Sequence, residues 1–569
     1  MGSAVLPMPV AAGPGDNFPV LIYTTNAPPP TPALADLPLL TQITQWGITW
    51  TFSQPEPVGQ FVNGDYYVVG PVTIVDIEPP ATNGLNGSML NIEVNIQQSG
   101  FDSRIQDERY NPALRVYPPI TLTPGNKLVS SISAATNLNS VMRPFDISVS
   151  PVASVSILTS MAAPQPPDAF RPSYAQGSTN IYLSRNLQRQ LLPMLTPVQN
   201  IPPLSEFEGY LQQPWVDSVF FSFDAQAQYM TSYGREGGYL MSFAGLLLTL
   251  DFTQAQKEPL LVYLVQYGID LYGLVQQGHT GWPAWGGHGT GRKFPIVLAG
   301  VMLNQNNMAS VQSQFGEDMQ TIWITETPPA GAYTQSWQTE PQTAVYGGRV
   351  GINGNSANPG WGPYEQLQPS AWTNTVGEEY RRCCTSAAWI GEALAARLIP
   401  GMQTAWNHPQ FFAYADRWMF VLDDPVDLAT MQSEAGLTLN TDFLQGQSWK
   451  VLSGGGYHEP CVRFVDLMWA AYRNVPQISA VSYLPGGVIT FTAQNLNPNK
   501  TNDVQLNTNL SAGTWATIST NVSGTWSTIS TNIIGTNVTV TNVTGTNFFM
   551  FQGLPSTNTQ GFYRVLQLP

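Results

Sequence analysis

From Gly47 to about residue 160 the chain alternates short β-branched and aromatic runs with turn-forming residues, at 48–52, 66–69, 72–77, 114–117, 127–132 and 145–150. Side chains of a strand point alternately to opposite faces, so runs of this length between Gly, Pro, Asn and Asp read as half-buried strands. Asn63-Gly64, just before the second run, signals a tight turn. The economical arrangement is an N-terminal β-sandwich over residues 41–165, preceded by a Pro-, Ala- and Gly-rich leader or linker over 1–40.

After Ala163-Pro-Gln-Pro-Pro167 the period changes. Leu240, Phe243, Leu247 and Leu250 fall on one helical stripe, and residues 260–274 are apolar nearly all round. Helices also fit 181–195, 204–215, 294–303, 378–398, 411–422 and 461–472. Helices joined by Gly-rich, aromatic loops predict an α/α toroid closing round a cleft over 166–475, with a plain bundle as the alternative. Beyond it, Thr514-Trp-Ala-Thr-Ile-Ser-Thr-Asn521 returns as Thr525-Trp-Ser-Thr-Ile-Ser-Thr-Asn532, and no charged residue lies between Val504 and Tyr563. A repeat at strand-plus-turn spacing predicts a small C-terminal β-sandwich over 476–569, a binding or sorting module. The fold class expected is therefore multidomain α+β.

Composition narrows the function. The 569 residues are 43% hydrophobic and 11% aromatic, which excludes disorder, and only 10% are charged. A net charge of −15 argues against a nucleic-acid partner, which requires a basic footprint. No uncharged apolar run reaches the roughly 18 residues of a membrane span. The Thr-, Asn-, Gly- and Pro-rich texture resembles exported bacterial proteins, and the opening Met1-Gly2-Ser3 reads as a remnant replacing a removed export signal. A secreted, periplasmic or cell-surface location follows as an expectation. Cys383, Cys384 and Cys461 show no metal-type spacing. Adjacent cysteines bridge one another only with strain, so a bond from Cys461 to either stays open, and buried thiols are the default.

Chemistry concentrates in the helical region, which holds fifteen of the twenty-two Lys and Arg and all four His. Its densest stretch is Trp282-Pro-Ala-Trp-Gly-Gly-His-Gly-Thr-Gly-Arg-Lys293, a glycine loop entering the helix expected at 294–303. There a helix N-terminus with Arg292 and Lys293 favours an anion. Tyr233-Gly-Arg-Glu-Gly-Gly-Tyr239, the stretch from Arg349 through Trp361 and Tyr364 to Cys384, and Gly454-Gly-Gly-Tyr-His-Glu459 share this loop-to-helix setting. Two chemistries suit them. In β-elimination on a uronic acid, Arg neutralises the carboxylate through its planar fork while His or Tyr moves protons. Glycoside hydrolysis needs two flanking carboxyl groups, for which Glu236, Glu365, Glu378 and Asp224 are candidates. Trp282, Trp285 and Trp361 can stack on sugars or fill a core.

Tyr233-Gly-Arg-Glu236, Val265-Gln-Tyr-Gly-Ile-Asp-Leu-Tyr-Gly273, Gly286-Gly-His-Gly-Thr-Gly-Arg-Lys293, Tyr380-Arg-Arg-Cys-Cys384 and Trp406-Asn-His408, together with the run at 64–73, resemble polysaccharide lyase family 38. These are glucuronan and alginate lyases with an α/α toroid, and the resemblance covers roughly residues 45–420. It implies endo-acting β-elimination of a polyuronate, with an anionic polysaccharide as partner. No cofactor or metal is required, a structural calcium remaining open. By residue type His288 is the base, Tyr380 the acid, and Arg292 with Arg381 hold the carboxylate, beside Tyr233, Arg235 and Glu236. Tyr239, Tyr364 and Tyr457 rival Tyr380, as does Tyr233, and His408 and His458 rival His288. Trp282, Trp285, Lys293, Arg349, Asn353, Trp361, Tyr364, His408 and His458 complete the expected substrate contacts. The alternatives are a toroid-type glycoside hydrolase and a non-catalytic glycan-binding surface protein.

Overall fold

Trp46 and Gly47 both take positive φ, 52° and 81°, the geometry of a two-residue hairpin loop that matches strand twist. β1 (Leu39–Gln45) thereby folds back on β2 (Ile48–Gln60), with Gln45 opposite Ile48. The computed structural model describes residues 18–96, 98–105, 109–134, 151–217, 229–231, 233–323, 344–349, 380–420, 459–473 and the C-terminal strands named below. Close contacts divide the chain into two units, Met1–Asp466 and Leu467–Pro569.

β2 organises the N-terminal part. Its first half pairs with β1 and with β4 (Val72–Glu78), and its second half pairs with β3 (Tyr66–Val69). β6 (Ile120–Leu122) continues beyond β4. On the other side, β8 (Val152–Met161) runs parallel to β3 and is followed by β7 (Lys127–Ser133) and β5 (Ser88–Leu90). The order β5-β7-β8-β3-β2-β4-β6 makes one mixed sheet, curled into a half-barrel, where two stacked sheets were expected. The reason is that β2, with Pro55 and Pro57 midway, belongs to both halves and turns the corner between them. Inside the curl Ile48, Trp50, Phe52, Val58, Val68, Ile74, Leu122, Leu128 and Leu158 form one core. The Trp50 indole donates across it to Ser130 Oγ at 3.0 Å. The run at 114–117 contributes no strand, and the one at 145–150 lies outside the described residues.

Among the described residues ten helices follow: α1 (Leu204–Leu211), α2 (Gly234–Leu248), α3 (Gln254–Gln276), α4 (Lys293–Met302), α5 (Asn306–Ala309), α6 (Gly316–Met319), α7 (Ser386–Leu398), α8 (Met402–Trp406), α9 (Pro409–Phe420) and α10 (Glu459–Tyr472). Among the described residues they make a helical region with no closed toroid. Residues 181–195, expected as a helix, are extended with two short 3-10 turns. Tertiary bonds override the local pattern: Ser184 N–H donates to Asp168 O, Gln188 N–H to Met302 O, and Leu195 N–H to Thr249 O. α2 and α7 approach closely because a Cβ on Gly391 would lie 2.4 Å from Ser242 Cβ. Ser242 Oγ occupies the resulting contact, donating to Ala388 O at 2.7 Å and accepting Glu392 N–H at 3.0 Å.

In the C-terminal unit β9 (Gln477–Leu484), β10 (Val488–Gln494), β16 (Phe549–Pro555) and β15 (Thr539–Asn542) form one antiparallel sheet. β12 (Ala516–Asn521), β11 (Asn502–Asn507) and β17 (Phe562–Gln567) form another, and β13 (Asn532–Ile533) pairs with β14 (Thr536–Asn537). β12 is the core of the first repeat copy.

Sheet and helices are clasped by Arg171, whose side chain is wholly buried. Its Nε donates to Asp65 at 2.6 Å, while its two terminal nitrogens meet Asp270 of α3 at 3.0 and 2.6 Å. A buried pair contributes little net stability, but removing Asp270 takes the carboxylate from both terminal nitrogens of Arg171 in a dry interior and leaves Asp65 as the guanidinium's remaining carboxylate. Asp270→Ala is therefore expected to lose about 3–5 kcal/mol of unfolding free energy in a denaturant titration of the unit that holds it. A loss under about 1 kcal/mol would show that the clasp does not join the layers.

Candidate functional site

The site begins with glycine, because two backbone segments touch. α2 starts at Gly234, where an added Cβ would lie 2.1 Å from both Gly287 O and His288 O. Gly291 has φ +88°, and a Cβ there would lie 2.5 Å from Gly238 N. The two glycine motifs singled out in the sequence thus lie backbone against backbone. The third contributes as well: Gly286 N–H donates to Arg349 O at 2.8 Å, and a Cβ on Gly286 would strike the Tyr380 ring at 2.2 Å. Tyr380 leads into a π-helical turn, Arg381–Thr385, and a Cβ on Gly287 would lie 2.2 Å from Cys384 O. Residues 454–458 of the fourth motif lie outside the described residues, and its last residue, Glu459, begins α10.

His288 sits at the centre of this convergence, 9% exposed. Its ring stands edge-on to Tyr233 with centroids 5.0 Å apart. Burial, then the positive charges of Arg349 and Arg292, hold its imidazole down at about 3. The ring is therefore neutral at physiological pH, the form a proton acceptor requires. Tyr233 Oη accepts Gly287 N–H at 3.1 Å, and burial raises its phenol above the ordinary value, keeping it protonated. Around the ring the half-buried side chains Tyr233, Arg235, Trp285, Arg349 and Tyr380 form a rim. Arg349 lies 4.6 Å from the Tyr380 ring centre and 5.8 Å from that of Trp285, and Arg235 lies 5.5 Å from that of Tyr233. Cations over aromatic faces at the mouth of a glycine loop can receive an anionic, ring-shaped ligand.

Other expected site residues are placed inside the protein. Arg292 donates to Asp217 Oδ2 at 2.7 Å and to Thr290 O at 2.6 Å, holding the loop closed upon itself. Lys293 pairs with Asp318 and donates to Trp406 O at 2.7 Å. Glu236 is buried and paired with Arg235. Trp282, 1% exposed, packs on His279 and Phe315 and has no face open to a sugar. Arg381 is buried, 5.4 Å from the Trp418 ring centre. His408 Nε2 lies 2.9 Å from Thr321 O, in a structural contact. Asn353, Trp361, Tyr364 and His458 lie outside the described residues, as do Tyr457, Asp224, Glu365 and Glu378. Among the described residues, seven cations of this region, Arg171, Arg185, Arg189, Arg235, Arg292, Lys293 and Arg397, are held in ion pairs. Their enrichment thus reflects internal pairing as much as an anion site.

Cys384 is disulfide-bonded, correcting the expectation of buried thiols, and the only other cysteines are Cys383 and Cys461. Sequence reasoning also passed over Glu317 and Glu392, both fully buried beneath the loop, because neither stands in a conspicuous motif. Among the described residues no group of His, Cys, Asp and Glu is arranged to hold a metal ion, and no helix is long and apolar enough to cross a membrane. No protein-family model, curated protein or solved structure matches the chain.

Two outcomes are expected from this geometry. Gly234→Ala gains up to about 1 kcal/mol of helix propensity but sets a methyl on two carbonyls. The clash wins, giving a net loss of about 1–3 kcal/mol and faster amide exchange over residues 286–292. Unchanged exchange there would mean that α2 does not support the loop. The second concerns His288, whose lowered value means that the folded state binds fewer protons than the unfolded chain. Its contribution to stability is complete above 6.5 and is lost as the pH falls towards about 3. In histidine-labelled protein its NMR signal should not titrate near 6.5, and an ordinary titration there would remove the assignment of a buried neutral ring.

Proposed function

We propose that the protein is an exported polysaccharide lyase that cleaves a uronic-acid polymer, glucuronan or alginate, by β-elimination at the loop of residues 286–292. The observation that carries the reading is the neutral His288 ring held beside Tyr233 within a rim that includes Tyr380 and Arg349. His288 takes the proton next to the carboxylate, and Tyr380 protonates the leaving glycosidic oxygen. Arg349 holds the carboxylate, because Arg292 is already committed to Asp217. Trp285 stacks on a neighbouring sugar. No cofactor takes part in these steps. The resemblance of the glycine, tyrosine and Trp-Asn-His segments to family 38 lyases supports the same reading, and the Cys384 disulfide suits an oxidising, extracytoplasmic location. Closure of the helical region into an α/α toroid and packing of the C-terminal strands as a binding or sorting β-sandwich belong to this proposal.

Incubation with glucuronan, alginate and neutral polysaccharides tests it. Elimination gives an ultraviolet-absorbing unsaturated product, hydrolysis gives new reducing ends without it, and a glycan-binding protein gives neither. His288→Ala should lower turnover by about 10²–10⁴-fold with thermal stability retained. Arg349→Lys should raise KM, because Lys keeps the charge but lacks the bidentate fork. Full activity in the His288 variant would remove the central assignment.

A further inference from the structure

Beneath the loop lies a pair of acids that the proposed elimination does not use. Glu317 belongs to α6 and Glu392 to the middle of α7, and both are 0% exposed. Glu317 Oε1 accepts Gly291 N–H at 2.6 Å. Glu317 Oε2 and both oxygens of Glu392 are buried, and among the described residues no donor reaches them. Two carboxylates have acceptors only, so a hydrogen bond between them requires a proton. The charged groups facing the pair are Arg292, turned to Asp217, and Lys293 with Asp318. α2 offers only glycine here, Gly238 standing where a Cβ would be 3.7 Å from Glu392 Oε1.

We infer that Glu317 and Glu392 share one proton and act as a positioning pair, fixing Gly291 and thereby the loop that carries His288. The pair acts through the loop and does not reach a ligand. Only in calling that loop a functional site does the inference rest on the proposed lyase reading. Glu392 is the proton's holder: burial, then the charge of Glu317, raises its carboxyl well above the ordinary value. Burial also pushes Glu317 up to about 7, opposed by Gly291 N–H and Lys293 and assisted by Asp318. A carboxyl raised in the folded state stabilises the fold fully below its unfolded value and loses that contribution as the pH rises through the folded one. For Glu317 the window runs from 4.5 to about 7.

The test needs no substrate, so it stands apart from the fate of the lyase reading. In the full chain at about pH 8, far above the ordinary carboxyl range, infrared spectra should show one protonated carboxyl group that disappears in Glu392→Gln. Glu392→Ala should speed amide exchange at Gly291 by at least about tenfold and shift the His288 ring resonance, while Glu392→Gln, which keeps a donor to Glu317, restores both. Glu317→Gln should flatten the fall in Tm between 4.5 and about 7. Absence of the protonated band in the wild type would overturn the shared proton. Equal behaviour of Glu392→Ala and Glu392→Gln in the His288 signal would overturn the positioning role.

Discussion

The site exists because two backbones are allowed to touch. At Gly234 and Gly291 the carbonyls and amides of the loop and of α2 approach to distances at which any side chain would intrude on main chain. Main-chain atoms have no rotamers through which to yield, so the contact is a hard steric constraint. It sets where His288 stands and which carbonyls Arg292 can reach, and it leaves Gly291 N–H pointing at Glu317. Glycine normally weakens a helix, and α2 carries Gly234, Gly237 and Gly238 in its first turns. Tertiary contact outweighs that local cost.

A chain with so few charges keeps many of them dry. Arg171 between Asp65 and Asp270 ties a strand turn to α3, Arg292 on Asp217 ties the start of α4 to the segment after α1, and Lys293 on Asp318 ties α4 to α6. Such pairs add little net free energy compared with apolar packing, but they penalise every arrangement in which one partner is left alone. They select one way of docking the sheet on the helices and one path for the glycine loop. The half-buried cations beside the loop are Arg235, paired with Glu236, and Arg349, which lies over the Tyr380 and Trp285 rings. A site built this way is rigid at its base and polar at its rim.

Local pattern was enough to place β2, β3, β4 and β7 and helices α1, α2, α3, α4, α7, α9 and α10, because alternation and helical striping are properties of neighbouring residues, but it left β1, β5, β6 and β8 uncalled. It failed at 181–195, where an apolar period is overridden by main-chain bonds to Asp168, Met302 and Thr249. It also missed the curl of the sheet, since a strand that turns a corner looks like any other strand. In the site, the glycine, tyrosine and histidine motifs were legible as unusual clusters, and three of the four converge. The partners of Arg292 and Lys293, and the two acids below, were not legible. Asp217 and Arg292 are 75 positions apart, and Glu317 and Glu392 also 75, so no spacing rule joins them.

The sequence by itself determined the elements, the separation of strand-rich from helical stretches, and the density of glycine and aromatic residues at one loop. These follow from short-range sterics and side-chain periodicity, which act between residues a turn or a pleat apart. Only the tertiary structure decided which cations are consumed in ion pairs and that His288 is neutral. It alone also brought Glu317 and Glu392 together behind the loop. Charge state and hydrogen bonding depend on burial and on groups brought close by the fold, and those are properties of the packed chain.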